Sequence, residues 1–215
     1  MRNWIRNSHF HARHFGDSFS TSGGVGKQIA PQWWHGPGVG AATQGNFCEA
    51  IQGQWEGNPE RFLRIQWLAP PSAGDGGLPP QPNFWNTILE QHINTARVLA
   101  GKEVTFSVQW RSPGGVQMMP ILWRGYQGAA PDEYFTAGPQ VWVSAGVMRT
   151  DYTLTLPGIP SGVPVALNSS LGVGLVILGQ FGPTLDIGPM QLNEGGPKPI
   201  EETPGYEECL WALQT

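Results

Sequence analysis

Val104-Thr105-Phe106-Ser107-Val108-Gln109-Trp110 decides the fold. Apolar side chains occupy every second position and polar ones stand between them, the period of a half-buried antiparallel strand. Val104, Phe106, Val108 and Trp110 are expected to face a core, and Thr105, Ser107 and Gln109 to face outward. The alternation returns downstream from Tyr152 to Pro157, with Tyr152, Leu154 and Leu156 inward and Thr153 and Thr155 outward. Upstream, Leu63, Ile65 and Trp67 share one face, and Phe62, Arg64 and Gln66 the other. Gly172 to Leu178 is a continuous apolar run, as in a central strand buried on both sides. Leu185 to Leu192 closes the sheet, and its apolar phase slips at Gly188-Pro189, which predicts a β-bulge.

Weaker strand signals lie further out. Asn3 to Phe10 reads as an opening strand built on Trp4, Ile5 and Phe10. Glu49 to Trp55 alternates faintly. Phe84 to Arg97 carries Ile88, Leu89 and Ile93, and Val116 to Trp123 and Gln140 to Val143 add two more strands. Gln32-Trp33-Trp34 is a short aromatic anchor. Extended loops are expected near 16–30, 36–46 and 69–84. The last of these, rich in Pro and Gly from Ala69 to Asn83, has the length of a functional loop or an interface arm. Glu207 to Leu213 is the one helical-looking piece. Thirty Gly and twenty Pro among 215 residues favour many short strands joined by turns. The pattern is that of an all-β sandwich or barrel. No repeat and no linker divides the chain, so residues 1–215 read as a single domain.

Composition narrows the function. A net charge of -4, with 13% charged residues, argues against nucleic-acid binding. A 40% hydrophobic content with ten Trp excludes a disordered chain. The longest apolar stretch, Leu171 to Leu178, is too short to insert in a bilayer. Met1 to His14 has no apolar core of a signal peptide, so synthesis in a cytoplasm is expected. Cys48 and Cys209 stand far apart and without metal spacing, and read as free buried thiols.

Motifs for catalysis are missing. His9, His11 and His14 cluster, and His9 and His11 could share a strand face as metal ligands, but no Cys or carboxylate other than Asp17 stands near at ligand spacing, and a solvated histidine-rich edge is the favoured reading. His35 and His92 stand alone. There is no nucleophile elbow, dinucleotide fingerprint or P-loop. Glu56, Glu90, Asp132, Glu133, Asp151 and Asp186 are the carboxylates from which a hydrolytic pair would be drawn. The aromatics are more telling, because sugar C–H faces stack on Trp and Tyr rings. Trp123, Arg124 and Tyr126 lie together, and Trp85 follows the long Pro loop; these four are the candidate carbohydrate-binding residues, with packing as the competing role. Trp67 and Trp110, in phase with inward residues, read as core.

Several segments together resemble a known family. They are Asn3 to Phe10, Trp33-Trp34, Leu63-Arg64-Ile65, and the run through Gln91, Ile93, Leu99, Gly101, Lys102, Val104, Thr105 and Ser107. Leu185 to Gly195 and Pro199 to Leu210 complete the set. In this order they resemble the jelly-roll domains of bacteriophage tail-fibre and minor tail proteins, which are similar in fold to carbohydrate-binding modules. The resemblance implies a two-sheet antiparallel jelly-roll sandwich with a short C-terminal helix. It implies a non-enzymatic virion protein, a decoration, spike or fibre component of capsid or tail, made in the host cytoplasm. Its partners would be itself, as a homotrimer, other virion proteins, and host-surface polysaccharide. No cofactor is implied beyond a structural calcium, for which Asn7 and Asp186 are the conceivable ligands, although Asp186 also reads as a solvent-facing strand residue. The chain departs from the family in lacking a shaft and the Cys-Gln-Arg-Tyr-like ending. Two alternatives stand beside this reading: a free-standing carbohydrate-binding module, and a polysaccharide-degrading enzyme.

Overall fold

A computed structural model describes residues 3–5, 10, 16–22, 27–30, 33–36, 42–69, 88–93, 97–126, 131–136, 140–163, 165, 169–178 and 184–201. Thirteen strands lie among them: β1 (Ser18–Ser22), β2 (Lys27–Ala30), β3 (Trp33–Gly36), β4 (Ala42–Glu49), β5 (Arg61–Ala69), β6 (Ile88–Ile93), β7 (Glu103–Arg111), β8 (Val116–Gly125), β9 (Glu133–Thr136), β10 (Val141–Val143), β11 (Met148–Thr155), β12 (Ser170–Leu178) and β13 (Thr184–Glu194). They form two antiparallel sheets. One has six strands in the order β1-β4-β5-β13-β7-β11. The other has seven, in the order β10-β8-β12-β6-β3-β2, with β9 also paired to β8.

The core lies between the sheets. Val104, Phe106, Val108 and Trp110 of β7 are fully buried in it, with Leu63 and Ile65 of β5 and Leu185, Ile187, Met190 and Leu192 of β13. Leu122 of β8 and Leu171, Val173 and Leu175 of β12 come from the opposite sheet. Trp110 is core, its Nε1 donating to Thr150 Oγ1 at 3.0 Å, and Trp67 packs partly buried against the same cluster. β12 sits between β8 and β6 and is buried from Ser170 to Val176, as the apolar run predicts. The bulge is where the phase slip puts it. Ile187 pairs with Trp110 and Met190 with Val108, so Gly188 and Pro189 together oppose Gln109 alone.

Four sequence expectations are corrected. Residues 16–30 and 36–46 are not simply loops: they contain β1, β2 and the start of β4. Their inward residues mix Phe19 and Ile29 with Thr21, Thr43 and Gly45, so no continuous apolar stripe announces them. Thr43, Gly45 and Phe47 face in from β4, and a Cβ on Gly45 would lie 2.0 Å from Phe19 Cζ. Glu49 to Trp55 is largely turn rather than strand; only Glu49 is in β4. Asn3 to Ile5 and Phe10 are not in a strand; the Asn3 side chain replaces a ladder by accepting from Leu192 N at 3.1 Å and donating to Met190 O at 3.1 Å. Finally, Thr105, Ser107 and Gln109 do point away from the core, yet they are buried. The turn after β4 and residues 195–201 lie across that face and bond to it. The long 69–84 segment beyond Ala69, the opening residues 6–9 and the helix expected at 207–213 lie outside the described residues.

Candidate functional site

The two outer faces of the sandwich differ in chemistry. On the seven-stranded sheet, alternation puts large aromatics outward. Trp33 and His35 of β3 are fully buried, and Trp34 between them is 41% exposed. Val141 packs against the core and Val143 is fully buried, while Trp142 between them is 64% exposed. Tyr134 of β9, 45% exposed, pairs directly with Trp123 of β8, so the two side chains share a face. These three are the exposed aromatic side chains among the described residues, and all belong to this sheet.

Between them the surface is shaped by glycine. Trp123 packs with Ile121, Val176 and Met119 in a small apolar cluster separate from the main core. Its ring lies against β12 at Gly172, where a Cβ would come within 2.1 Å of Trp123 Cε2. Trp142 likewise covers Gly115, where a Cβ would meet its ring at 2.4 Å. β3 and β9 are four strand positions apart in this sheet, which places Trp34 and Tyr134 about 19 Å from each other. Trp142 pairs with Gln117, six residues along β8 from Trp123, or roughly 20 Å.

Of the residues singled out in the sequence, Trp123 lies on this face but is 7% exposed. Arg124 and Tyr126 are turned the other way and are buried. Arg124 Nη1 donates to Glu133 Oε2 at 2.8 Å and its Nη2 to Pro157 O at 2.8 Å, with the guanidinium over the Phe135 ring. Tyr126 Oη donates to the same Glu133 oxygen at 2.6 Å, and burial raises its phenol above the usual range. In this arrangement Arg124 and Tyr126 close the end of the sandwich and offer no surface to a ligand. Trp85 and Asn7 lie outside the described residues, as do His9, His11 and His14. Trp34 belongs to the aromatic anchor of the sequence, whereas Tyr134 and Trp142 carry no motif there. Trp34 and Trp142 each alternate with inward-facing neighbours, which is the signal that turns them outward.

The six-stranded sheet turns a polar face outward. Asp186 is fully buried, not solvent-facing as its strand position suggested. Arg64 Nε and Nη2 donate to its two oxygens at 2.7 and 2.8 Å, and Arg111 Nε donates to Oδ2 at 2.8 Å. Both carboxylate oxygens are thereby taken by guanidinium groups. Glu56 and Asp151 are both paired to Arg149. No group of three or more metal-ligating side chains occurs among the described residues. His35 is a core residue, its Nε2 2.7 Å from Thr43 Oγ1 and its ring against Phe19. Cys48 is a free, half-buried thiol held in its protonated form by burial; Cys209 lies outside the described residues.

No family model and no curated protein sequence matches the chain. Solved structures do match its fold. The CBM22-1 xylan-binding domain of Xyn10C from Paenibacillus barcinonensis superposes with a TM-score of 0.50 at 12% identity, over 85% of this chain and 97% of that one. A CBM4 domain gives 0.51 at 10% identity, over 89% and 99%. The enzymatically active domain of tailspike protein 4 of bacteriophage CBA120 gives 0.50 at 8% identity; the match covers 90% of this chain but 21% of that one. The fold is therefore the antiparallel jelly-roll sandwich of carbohydrate-binding modules.

Proposed function

We propose that the chain is a non-catalytic carbohydrate-binding module that holds a polysaccharide on the outer face of its seven-stranded sheet. One observation carries this reading: all three exposed aromatics among the described residues, Trp34, Tyr134 and Trp142, stand on that one face. Their rings offer flat apolar platforms to sugar C–H faces, and Trp and Tyr keep a polar edge for hydroxyls. Spread over roughly 20 Å, they are too far apart for one sugar ring and suit an extended oligosaccharide. Xylan binding is a property of one neighbour of like fold and adds a substrate class to try first.

The tailspike likeness, which covers 21% of that chain, does not by itself support the virion role, the homotrimer or the host-surface attachment implied by the phage resemblance. Carbohydrate-binding modules match the fold equally well and over nearly their whole length, so the carbohydrate-binding module is the reading proposed. The carboxylates Glu56, Asp151, Glu133 and Asp186 are each committed to an arginine, which favours binding over hydrolysis.

Affinity electrophoresis through gels containing xylan, mixed-linkage β-glucan or β-1,4-galactan tests the proposal. The wild-type protein is retarded by at least one of them without releasing reducing sugar. Trp34→Ala and Trp142→Ala each weaken that retardation about tenfold or more. Retardation that survives the double substitution, or reducing-sugar release, overturns it.

A further inference from the structure

The outer face of the six-stranded sheet carries an unbalanced charge cluster. Ser18, Asn46, Arg64, Asp186 and Arg111 lie on one rung across β1, β4, β5, β13 and β7. Asp186 is one buried carboxylate serving two guanidinium groups. The cluster thus keeps one positive charge, on a chain whose net charge is -4. Arginine has five N–H donors and cannot be deprotonated in a protein. Arg64 spends Nε and Nη2 on Asp186, and Arg111 spends Nε. Arg64 Nη1 and both Nη atoms of Arg111 make no hydrogen bond among the described residues.

The guanidinium groups are held in place before any ligand arrives. Arg111 lies over the Trp55 and Phe62 rings at 5.8 and 5.6 Å, and Arg64 over Phe62 at 5.5 Å. Trp55 is itself locked against the bulge, since a Cβ on Gly188 would lie 2.2 Å from Trp55 Cε3. Arg64 and Arg111 remain 33% and 22% exposed. Beside them stand neutral hydrogen-bonding groups. Asn46 makes no side-chain hydrogen bond among the described residues, and Gln44 donates to Gln66 at 2.6 Å on the next rung. Ser18 and Ser20 edge the patch and are exposed.

We propose that this patch is a second site, which binds the carboxylate of a uronic-acid residue in an acidic polysaccharide. The free guanidinium donors of Arg64 and Arg111 take the carboxylate as charge-assisted hydrogen bonds. Asn46, Gln44 and Gln66 take the hydroxyls of the same sugar and its neighbour. A neutral sugar leaves the excess charge unmatched and binds weakly here. The site lies on the opposite side of the sandwich from the exposed aromatics and does not depend on them.

The test is calorimetric titration of the full chain with tri-galacturonate, with galactotriose as the uncharged control. Tri-galacturonate binds, and its affinity falls as salt rises, because screening weakens the ion pair. Galactotriose binds at least about tenfold more weakly. Arg64→Gln reduces tri-galacturonate affinity about tenfold or more. Asn46→Asp sets a carboxylate beside Arg64 at a half-buried position of β4; it abolishes binding while keeping the wild-type Tm, and so decides the matter if the Arg64 variant folds poorly. Trp34→Ala leaves the tri-galacturonate titration unchanged, which separates this site from the aromatic face. The proposal fails if tri-galacturonate gives no heat at low salt, if galactotriose matches it, or if Asn46→Asp binds like wild type. It also fails if a triglutamate peptide binds through Arg64 where tri-galacturonate does not.

Discussion

The outer faces of the two sheets are made by the same period-two alternation and end with opposite chemistry. On the seven-stranded sheet the outward positions include Trp34, Tyr134 and Trp142, left exposed. On the β13–β7 part of the six-stranded sheet they are Thr105, Ser107, Gln109, Gln191 and Asn193, all buried. The chain covers this part of its own polar face. Residues 195–201 and the turn after β4 supply the partners: Gln191 Oε1 accepts from Glu201 N, Gln109 Oε1 from Glu56 N, and Thr105 Oγ1 donates to Gly195 O. Polar groups can be buried there because each finds a hydrogen bond. An exposed aromatic costs solvation that the fold does not recover. That asymmetry leaves the aromatic face, and not the self-covered part of the polar face, open to the proposed polysaccharide.

The ionic centre of the polar face gives the largest expected effect. Asp186→Asn leaves Arg64 and Arg111 facing each other across a neutral amide. We expect a loss of about 3 kcal/mol in urea unfolding. A loss under about 0.5 kcal/mol would show that the two arginines are satisfied by water. Asn3 is the next test, because one buried side chain there ties the N-terminal segment to β13 and to Glu201 O. Asn3→Ala removes these bonds and strands buried backbone groups, costing roughly 2 kcal/mol by the same measurement.

The glycine contacts compare the faces directly. Gly172→Ala drives a methyl into the Trp123 ring on the aromatic face, and Gly188→Ala drives one into Trp55 on the polar face. Each costs about 1–3 kcal/mol through overpacking. Gly172→Ala is expected to weaken polysaccharide retardation as well, and Gly188→Ala is not. Equal effects on retardation would erase the distinction between the faces.

Alkaline pH gives the smallest effect. Burial pushes the Tyr152 phenol well above its ordinary value, so it stays neutral in the fold while the unfolded chain ionises near pH 10. The sign follows: its contribution is intact below pH 10 and is lost as pH rises beyond it. Tm measured from pH 8 to 11 falls at the top of that range, and Tyr152→Phe flattens the fall.

The central strands were legible because their inward residues are large. Val104, Phe106, Val108 and Trp110 alternate with nothing to obscure the period, and the slip at Gly188-Pro189 marks the bulge directly. β1, β2 and β4 were not legible, because Thr21, Thr43 and Gly45 face the core beside a His35–Thr43 hydrogen bond instead of forming an apolar stripe. The candidate site was half legible. Aromatic stacking is the chemistry proposed from the sequence and from the structure alike, but nearness in sequence groups Trp123 with Arg124 and Tyr126. On a strand, successive residues face opposite ways, and Arg124 and Tyr126 go inward to Glu133. Partners for Trp123 had to come across the sheet, from Tyr134 on β9, which no spacing in the sequence displays.

Hydroxyl-radical footprinting, read by mass spectrometry with and without the retarding polysaccharide, tests the aromatic face most directly. The account predicts protection of Trp34, Tyr134 and Trp142, with no change at Leu68 or Ile51, which are exposed elsewhere. Protection of Leu68 or Ile51, with the three aromatics oxidised as before, would contradict it.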